Sequence, residues 1–191
     1  LNAGDSGLFY CVDYHATRCD TTISDSGVWY QHSNPITWTQ LNPASCYYGN
    51  VWARNGDKSR STRFQKQFYT LANDPGALAF TNVTSNTIRA NWNDSGNMGL
   101  KCEPPPQSPH ILQYYVENTS RNPVTNSGWT ANLYWEETGL TPNTQYCYRV
   151  KTENPEGVDS GWTSLGCATT SSSIQPDLTI DPPSSWPTTA Y

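Results

Sequence analysis

Cysteine is the residue type of this chain with the widest choice of chemistry, and the sequence holds six among 191 residues. Thiolates can form disulfides, attack substrates or bind zinc. None of the six belongs to a Cys-x-x-Cys pair, and the three histidines, His15, His32 and His110, are scattered along the chain. Because zinc sites draw on closely spaced Cys and His ligands, we predict neither a metal site nor a cofactor.

Carboxylates are the second kind of candidate. Glu136 and Glu137 could act as an acid–base pair, but neighbouring side chains of a strand point to opposite faces, so a solvated strand edge is the better interpretation. The Asn-Asp dipeptides at 73–74 and 93–94 could bind calcium, although turn formation explains both without a metal. The sequence has no Gly-x-Ser-x-Gly, His-Glu-x-x-His or phosphate-binding glycine motif. We therefore predict no catalytic site and no enzyme activity.

Composition sets the broad class of the protein. Hydrophobic residues make up 35% and charged residues 14%, and the net charge is −5 with no cluster of Lys or Arg, which argues against nucleic-acid binding. No apolar run reaches the roughly 18 residues that suggest a membrane-spanning helix. Cysteines in a chain rich in Thr and Asn and poor in Lys favour an oxidising compartment. We expect an extracellular or cell-surface protein.

A patterned stretch, Leu140–Asn154, has an earlier copy at Leu41–Asn55, at a constant offset of 99 residues. Each copy begins with Leu-x-Pro and continues with Tyr and Val at positions of one parity. This is the period-2 pattern of a half-buried strand that is entered through a proline turn. An internal repeat of this length predicts two domains.

Short alternating segments elsewhere predict an all-β chain, since no segment has a sustained 3.6-residue apolar period. The second half carries Trp92 on an early strand and Tyr146 just after the Leu-x-Pro corner, as immunoglobulin-like sandwiches do. A turn at 73–76, Asn-Asp-Pro-Gly, is the expected domain boundary. The predicted strands include Leu8–His15, Val28–Gln31, Ile36–Trp38, Phe64–Leu71, Ala77–Thr81, Thr87–Trp92, Ile111–Glu117 and Trp162–Thr170.

The second half resembles a fibronectin type III domain along its whole length, and the first half matches from Leu8 onward. The segments around Cys147 and Cys167, YCYRV and GCATT, are similar to those of extracellular members with a paired cysteine. The resemblance implies two β-sandwiches and an extracellular spacer or contact module. The other residues that carry it are Trp92, Tyr114, Val116, Leu140, Pro142, Tyr146, Tyr148, Val150 and the stretch from Asn154 to Gly157.

This resemblance divides the chain into two domains and a tail. Residues 1–76 match an incomplete sandwich that lacks its first two strands, residues 77–170 match a complete sandwich, and residues 171–191 form the tail. A sandwich without its first strands would leave an apolar face and a sheet edge open to water. We therefore expect the missing strands to come from residues outside 1–76.

The tail resembles the beginning of the second domain. Leu178 and Ile180 align with Leu78 and Phe80 at an offset of 100. The alignment continues without a gap if Tyr191 of one copy is followed by Leu1 of the next. This predicts a head-to-tail filament of copies of the chain, either as one continuous polypeptide or as separate subunits that exchange a strand. The alternative is a fragment of an adhesion or receptor ectodomain, or the spacer of a secreted enzyme. The predicted contacts between units are Leu178, Ile180, Trp186 and Leu1.

The fibronectin type III resemblance also implies disulfides. In that fold the strands that hold Cys147 and Cys167 are antiparallel neighbours, so we predict a Cys147–Cys167 bond. The same reasoning pairs Cys19 with Cys46. Cys102, in a loop at the inter-domain end of the second domain, could instead bond Cys19 or Cys46 across the boundary. The pairing of Cys11 stays open.

Sequons make Asn82, Asn93 and Asn118 candidates for N-glycosylation in an extracellular chain. Stretches rich in Pro, Ser and Thr favour an extended backbone and could carry O-linked sugars on Ser, Thr or hydroxylated Pro. The candidates in these stretches are Pro104, Pro105, Pro106, Pro182, Pro183, Thr169, Thr170 and Ser171.

Three tryptophans, Trp129, Trp162 and Trp186, are expected to be exposed and to contact a ligand or pack at a domain junction. The expected partners are copies of this chain and covalent glycans, without nucleic acid and without a membrane span.

Overall fold

A computed structural model describes residues 9–13, 39–54, 61–62, 64–102 and 108–173, and for residues 9–13, 50–54 and 108 it describes the backbone alone. Every regular element within these ranges is a β-strand, so the all-β prediction is confirmed for them. The strands are β1 (Phe9–Asp13), β2 (Cys46–Arg54), β3 (Phe64–Tyr69), β4 (Gly76–Thr81), β5 (Thr87–Asn93), β6 (Leu100–Lys101), β7 (Ser108–Pro109), β8 (Tyr114–Asn118), β9 (Thr125–Thr130), β10 (Tyr134–Thr138), β11 (Gln145–Thr152) and β12 (Thr163–Thr169).

The second domain is a sandwich of two antiparallel sheets. One has the strand order β10-β5-β4 and the other β12-β11-β8-β9, while β6 and β7 form a separate hairpin. The alternation predicted from the sequence is present, because every second residue of β5, β8 and β11 is buried. Trp92, Tyr146 and Val150 lie in the core between the sheets. Two packed sheets of this kind are the immunoglobulin-like arrangement.

The described strands of the first domain form one sheet, in the order β1-β2-β3. Its register repeats that of the second domain, since Val12 pairs with Val51 as Val116 pairs with Val150. The predicted strands at 28–31 and 36–38, like the tail from residue 174, lie outside the described residues. How the first sandwich is completed therefore stays a prediction.

Each domain holds its Leu-x-Pro turn with a tyrosine hydroxyl. In the second domain Tyr146 Oη accepts a hydrogen bond from Thr141 N at 3.0 Å, and in the first Tyr47 Oη accepts one from Asn42 N at 2.8 Å. This is the tyrosine corner of immunoglobulin-like folds. We call the turn Asn42–Tyr47 with Thr70 the first corner, and the turn Thr141–Tyr146 with Thr170 the second corner.

A threonine at the end of the last strand closes the second corner. Thr170 Oγ1 accepts a hydrogen bond from Thr144 N at 3.0 Å and donates one to Thr141 O at 2.7 Å. Asn143, in the middle of the turn, has φ at +51°, in the left-handed region that costs about 1 kcal/mol or more for a residue with a side chain. These hydrogen bonds hold the turn in that conformation.

The first corner repeats the same contacts at the same positions. Thr70 Oγ1 accepts from Ser45 N at 3.0 Å and donates to Asn42 O at 2.7 Å, and Ala44 has φ at +50°. The internal repeat seen in the sequence is thus also a repeat of conformation, down to individual hydrogen bonds.

A buried carboxylate links the two sheets of the second domain. Glu137 on β10 is only 5% exposed, and its oxygens accept hydrogen bonds from Asn118 Nδ2 (2.7 Å), Tyr148 Oη (2.9 Å), Thr125 Oγ1 (2.6 Å) and Arg121 Nη1 (3.0 Å). Burial and the nearby carboxylate raise the pKa of Tyr148 above its ordinary value. The interpretation of Glu137 as a solvated edge residue is therefore wrong, because donors from the opposite sheet surround it.

Glu136, its neighbour, lies on the outer face. It accepts hydrogen bonds from Asn82 Nδ2 at 2.9 Å and Arg89 Nε at 3.0 Å, and these contacts hold the pKa of its carboxyl below the usual value. The two glutamates point to opposite faces, as predicted.

We predict that Glu137→Gln lowers the free energy of unfolding by about 2–4 kcal/mol, because the amide loses the Arg121 ion pair and sets a donor against the donors of Asn118 and Tyr148. Urea unfolding followed by circular dichroism measures this. Glu136→Gln is the matched control and should leave the unfolding midpoint nearly unchanged, since it breaks only an exposed pair. Equal effects of the two substitutions would contradict the assignment of Glu137 as the link between sheets.

Candidate functional site

Backbone and side-chain hydrogen bonds join the two domains. A segment of the second domain, Met98–Leu100, runs along the first corner. Met98 N donates to Pro43 O at 3.2 Å, Leu100 N donates to Ala44 O at 3.1 Å, and Ser45 forms a parallel bridge with Leu100. Because these are backbone hydrogen bonds, they fix the register of the two domains whatever side chains are present.

Asn97 extends this contact by bonding backbone groups with its side chain. Its Oδ1 accepts from Asn73 N at 2.8 Å, and its Nδ2 donates to Asn73 O at 3.0 Å and to Asp94 O at 2.7 Å. Asn73 in turn donates from Nδ2 to Ser95 O at 3.0 Å. Asn73, which lies between the two domains, is therefore hydrogen-bonded to the loop after β5 through both its backbone and its side chain.

A second loop of the second domain reaches the first domain from another direction. Gly161 N donates to Asp74 Oδ1 at 2.7 Å, and Asn154 Nδ2 donates to Thr70 O at 3.2 Å. A Cβ on Gly161 would lie 2.8 Å from Asp74 Oδ2, so a larger residue there would displace the Asp74 carboxylate from its present position. The contact at Thr70 joins the second domain to the residue that closes the first corner.

A disulfide between Cys46 and Cys102 crosses the junction, with 5.2 Å between the Cα atoms. The predicted Cys19–Cys46 bond is therefore wrong, and the alternative in which Cys102 bonds Cys46 across the boundary describes the structure. Cys46 is the first residue of β2, two positions before the counterpart of Cys147, so it lies at the domain end that meets the second domain. That shift of two positions is the sequence signal that distinguishes the two cysteines.

The second disulfide lies within one sheet. Cys147 on β11 and Cys167 on β12 are directly opposite each other in the antiparallel register and are bonded, the pairing that the sequence resemblance implies. This bond closes the edge strand β12 onto β11, the strand that follows the second corner.

The structure separates the candidate N-glycosylation sites. Asn82 and Asn93 are exposed, and a glycan on either can extend into solvent. Asn118 is completely buried, and its Nδ2 is bonded to Glu137. A glycan on that nitrogen would have to occupy the sandwich core, so the Asn118 assignment is wrong for the folded protein.

The candidates for O-linked sugars divide in the same way. Thr169 and Ser171 are exposed. Thr170 is 2% exposed and uses its hydroxyl in the second corner, so its assignment as a glycan acceptor is wrong. The remaining candidates and predicted contacts lie outside the described residues: Pro104, Pro105, Pro106, Pro182, Pro183, Leu178, Ile180, Trp186 and Leu1.

An aromatic stack covers part of the outer face of the four-stranded sheet. Tyr115 lies 5.4 Å from Trp129 and 6.3 Å from Trp162, measured between ring centroids. Lys151 Nζ lies between them, 5.2 to 5.6 Å from the three ring centroids. A cation over ring faces is attracted by the ring quadrupole. Trp129 and Trp162 remain 42% and 38% exposed, as predicted from the sequence.

Charged pairs flank this stack. Arg149 lies over the Trp162 ring at 4.1 Å and donates from Nε to Glu117 Oε2 at 2.8 Å, and Lys151 is paired with Asp159. Trp162 follows Gly161, which contacts the first domain. The stack therefore anchors the loop of the second domain that reaches across the junction.

No family model matches the chain, and no curated protein matches it. The strand orders of its two sheets decide the fold class. The second domain has a fibronectin type III-like fold.

Solved structures of fibronectin type III domains match the chain at low identity. A two-domain segment from chicken tenascin is 16% identical, with 85% of this chain and 82% of that chain covered and a TM-score of 0.49. A domain of human fibronectin type III domain containing protein 3 is 18% identical, with 56% and 93% covered and a TM-score of 0.41. The FN5 domain of Drosophila Lar is 19% identical, with 54% and 100% covered and a TM-score of 0.38.

The described ranges contain no group of three or more His, Cys, Asp or Glu side chains placed to hold a metal ion. Nor do they contain a helix long and apolar enough to cross a membrane.

We predict that the double substitution Cys46→Ser and Cys102→Ser loosens the junction. The bond spans a sequence separation of 56 residues, which in the chain-entropy model corresponds to about 4 kcal/mol. Small-angle X-ray scattering should give a broader distribution of interatomic distances. Cys147→Ser with Cys167→Ser is the control, and should destabilise the second domain without changing that distribution at low temperature. An unchanged distribution in the first variant would contradict a restraining role of the disulfide.

We also predict that Lys151→Met destabilises the second domain by about 1–2 kcal/mol and shifts the tryptophan fluorescence, because the apolar stem is kept while the cation among the three rings is lost. Urea unfolding followed by tryptophan emission measures both. Lys66→Met, at an exposed position of β3, is the control and should change neither quantity. If Lys151→Met changed neither the stability nor the tryptophan emission, the rings would hold the loop without the cation.

Proposed function

We propose that the chain is a structural repeat or subunit of an extracellular, glycosylated filament. In this filament the units follow one another head to tail, and the residues after Thr170 supply the first strands of the next unit's first sandwich. The role is mechanical and structural rather than catalytic.

One observation carries this proposal. The pattern of the second domain starts again after the second domain ends, with Leu178 and Ile180 at the positions of Leu78 and Phe80. In the structure Leu78 and Phe80 belong to β4, the first strand of the second sandwich. Residues 178–180 therefore resemble a first strand, and we propose that they complete the first sandwich of the next unit, which the sequence predicts to lack its first two strands.

The junction between the two domains supports a mechanical role. Backbone hydrogen bonds from Met98 and Leu100, the Asn97 side chain and the disulfide at Cys46 all cross it. A tensile force along the chain would have to break these contacts together, because they lie around one corner. Flexible tethering of two domains would require none of them.

Disulfides and accessible glycan acceptors support the extracellular part of the proposal. Disulfides persist in oxidising compartments, and two are present in the described residues. Asn82, Asn93, Thr169 and Ser171 are exposed and can carry sugars without disturbing the core. Glycans at these positions would add bulk and solubility to a filament.

The second candidate function is that of an adhesion or receptor ectodomain. The observation that favours it is the half-exposed pair Trp129 and Trp162 on the outer sheet face, because tryptophan is enriched where proteins bind partners. Those residues also anchor the junction loop, so we rank this function second.

Native material tests the proposal. We expect fibres in electron micrographs and, after denaturation without reduction, either a very large chain or discrete chains of about one unit plus glycans. The first outcome means a continuous array, and the second means subunits that exchange strands. A compact monomer whose first domain is readily cut by protease would overturn the filament.

A further inference from the structure

We propose that Lys151 and Asp159 form an intramolecular amide bond, in which Lys151 Nζ replaces a carboxyl oxygen of Asp159 and Glu153 carries the protons. The bond is a covalent modification site of the second domain. It does not depend on the proposed filament, because all three groups belong to one chain.

The two reacting groups are already in contact. Lys151 on β11 is paired with Asp159, and the lysine side chain is 19% exposed. The ring centroids of Tyr115, Trp129 and Trp162 lie 5.2 to 5.6 Å from Lys151 Nζ and restrict where that atom can go. Holding two reactants together in this way makes a bimolecular reaction effectively unimolecular, which lowers its barrier.

The backbone that carries Asp159 is held by hydrogen bonds on both sides. Asn154 N donates to Val158 O at 2.9 Å, and Asn154 Oδ1 accepts from Val158 N at 2.9 Å. After Asp159, Ser160 N donates to Thr152 O at 2.7 Å. The loop between β11 and β12 is therefore fixed around Asp159, and its carboxyl stays beside β11.

A second carboxyl lies next to this pair. Glu153 forms an antiparallel bridge with Asp159, and residues directly opposite each other in such a bridge have Cβ atoms about 4.5–5.5 Å apart. Glu153 is also two positions from Lys151 in extended backbone, so the two side chains lie on the same face. The amine, its target carboxyl and a second carboxyl therefore meet on one side of the strand.

The surroundings of Glu153 suit it to carry protons. Burial and then the charge of Asp159 raise the pKa of the Glu153 carboxyl, while the charge of Lys151 opposes them. A carboxyl with a raised pKa is more readily protonated near neutral pH, so it can donate a proton and take one back. General acid–base catalysis needs a group of this kind within reach of the reacting atoms.

The condensation balances without a further reactant. One proton passes from the Lys151 ammonium to the Asp159 carboxylate and leaves a neutral amine and a neutral acid. The amine nitrogen attacks Asp159 Cγ, and the C–N bond forms. Glu153 donates its proton to the departing hydroxyl, which leaves as water, and accepts one from the nitrogen. Since the Asp159 side chain is 44% exposed, the water can escape to solvent.

The bond closes the loop that reaches the first domain. Asn154 lies inside the ring of residues 151–159 and Gly161 follows it, and both contact the first domain. A covalent ring restrains both contacts together, at a place separate from the disulfide of the junction. In the reacted chain a neutral amide lies among the three rings, so the stability that Lys151→Met removes includes the cross-link.

Proteolysis of the purified, deglycosylated full chain, denatured and with its disulfides reduced, tests the bond. A glutamate-specific protease cuts after Glu153 and Glu156, inside the ring that the bond closes. We expect the fragment that contains Lys151 and the fragment that begins at Gly157 to remain joined in most chains. Their combined mass should be lower by one water molecule than the sum of the two. Separate fragments at full mass would overturn the proposal, and this digest needs no variant to fold.

Two substitutions test the role of Glu153. Glu153→Gln keeps the length of the side chain but removes the proton carrier, and should give separate fragments while the circular dichroism spectrum matches that of the wild type. Glu156→Gln, at an exposed position of the same loop, is the matched control and should give joined fragments, because the cut after Glu153 still opens the ring. Joined fragments from Glu153→Gln would overturn its assignment as the proton carrier.

Discussion

The tyrosine corner is the interaction on which the arrangement of this molecule depends. A residue with a side chain sits at positive φ in each corner, which is unfavourable in isolation. The tyrosine hydroxyl and the threonine at the end of the last strand offset that cost by bonding the backbone groups on both sides of the turn. Each turn fixes where its following strand, β2 or β11, begins and which carbonyl oxygens face outward.

From the corner, the structure builds in two directions. Inward, β11 delivers Tyr146, Tyr148 and Val150 to the core, and Tyr148 meets the buried Glu137 that joins the two sheets. Outward, the carbonyls of the first corner receive the second domain. One local conformation therefore serves both the stability of a sandwich and the connection between the two domains.

Much of the fold could be predicted from the sequence because it is local. Leu-x-Pro followed by tyrosine and alternate apolar residues specifies the corner and its strand, and the repeat of this pattern predicts two domains. Strand β9, with the sequence TNSGWT, is not predicted, because it has no apolar alternation and forms only by pairing with β8. The closing threonines are also missed, because a single Thr at a strand end has many possible roles.

Less of the glycan acceptors and of the inter-domain contacts can be predicted from the sequence, because both depend on burial and on contacts between strands. A sequon at Asn118 and a hydroxyl at Thr170 satisfy a sequence motif, but the motif does not report burial, and both side chains are committed to internal hydrogen bonds. Nothing in the local sequence distinguishes Glu137 from Glu136, yet four donors from the opposite sheet and its connecting loop converge on Glu137. The Cys46–Cys102 bond depends on how the two domains meet, so the sequence gives it only as one of several alternatives.

The central claim is that the second domain docks on the first corner through its backbone, so that the two domains form one unit. Hydrogen–deuterium exchange at the amides of Met98 and Leu100 tests this most directly, because these amides donate to Pro43 O and Ala44 O. The account predicts protection comparable to that of core strand amides such as Val150. Exchange at the rate of an open loop would contradict it.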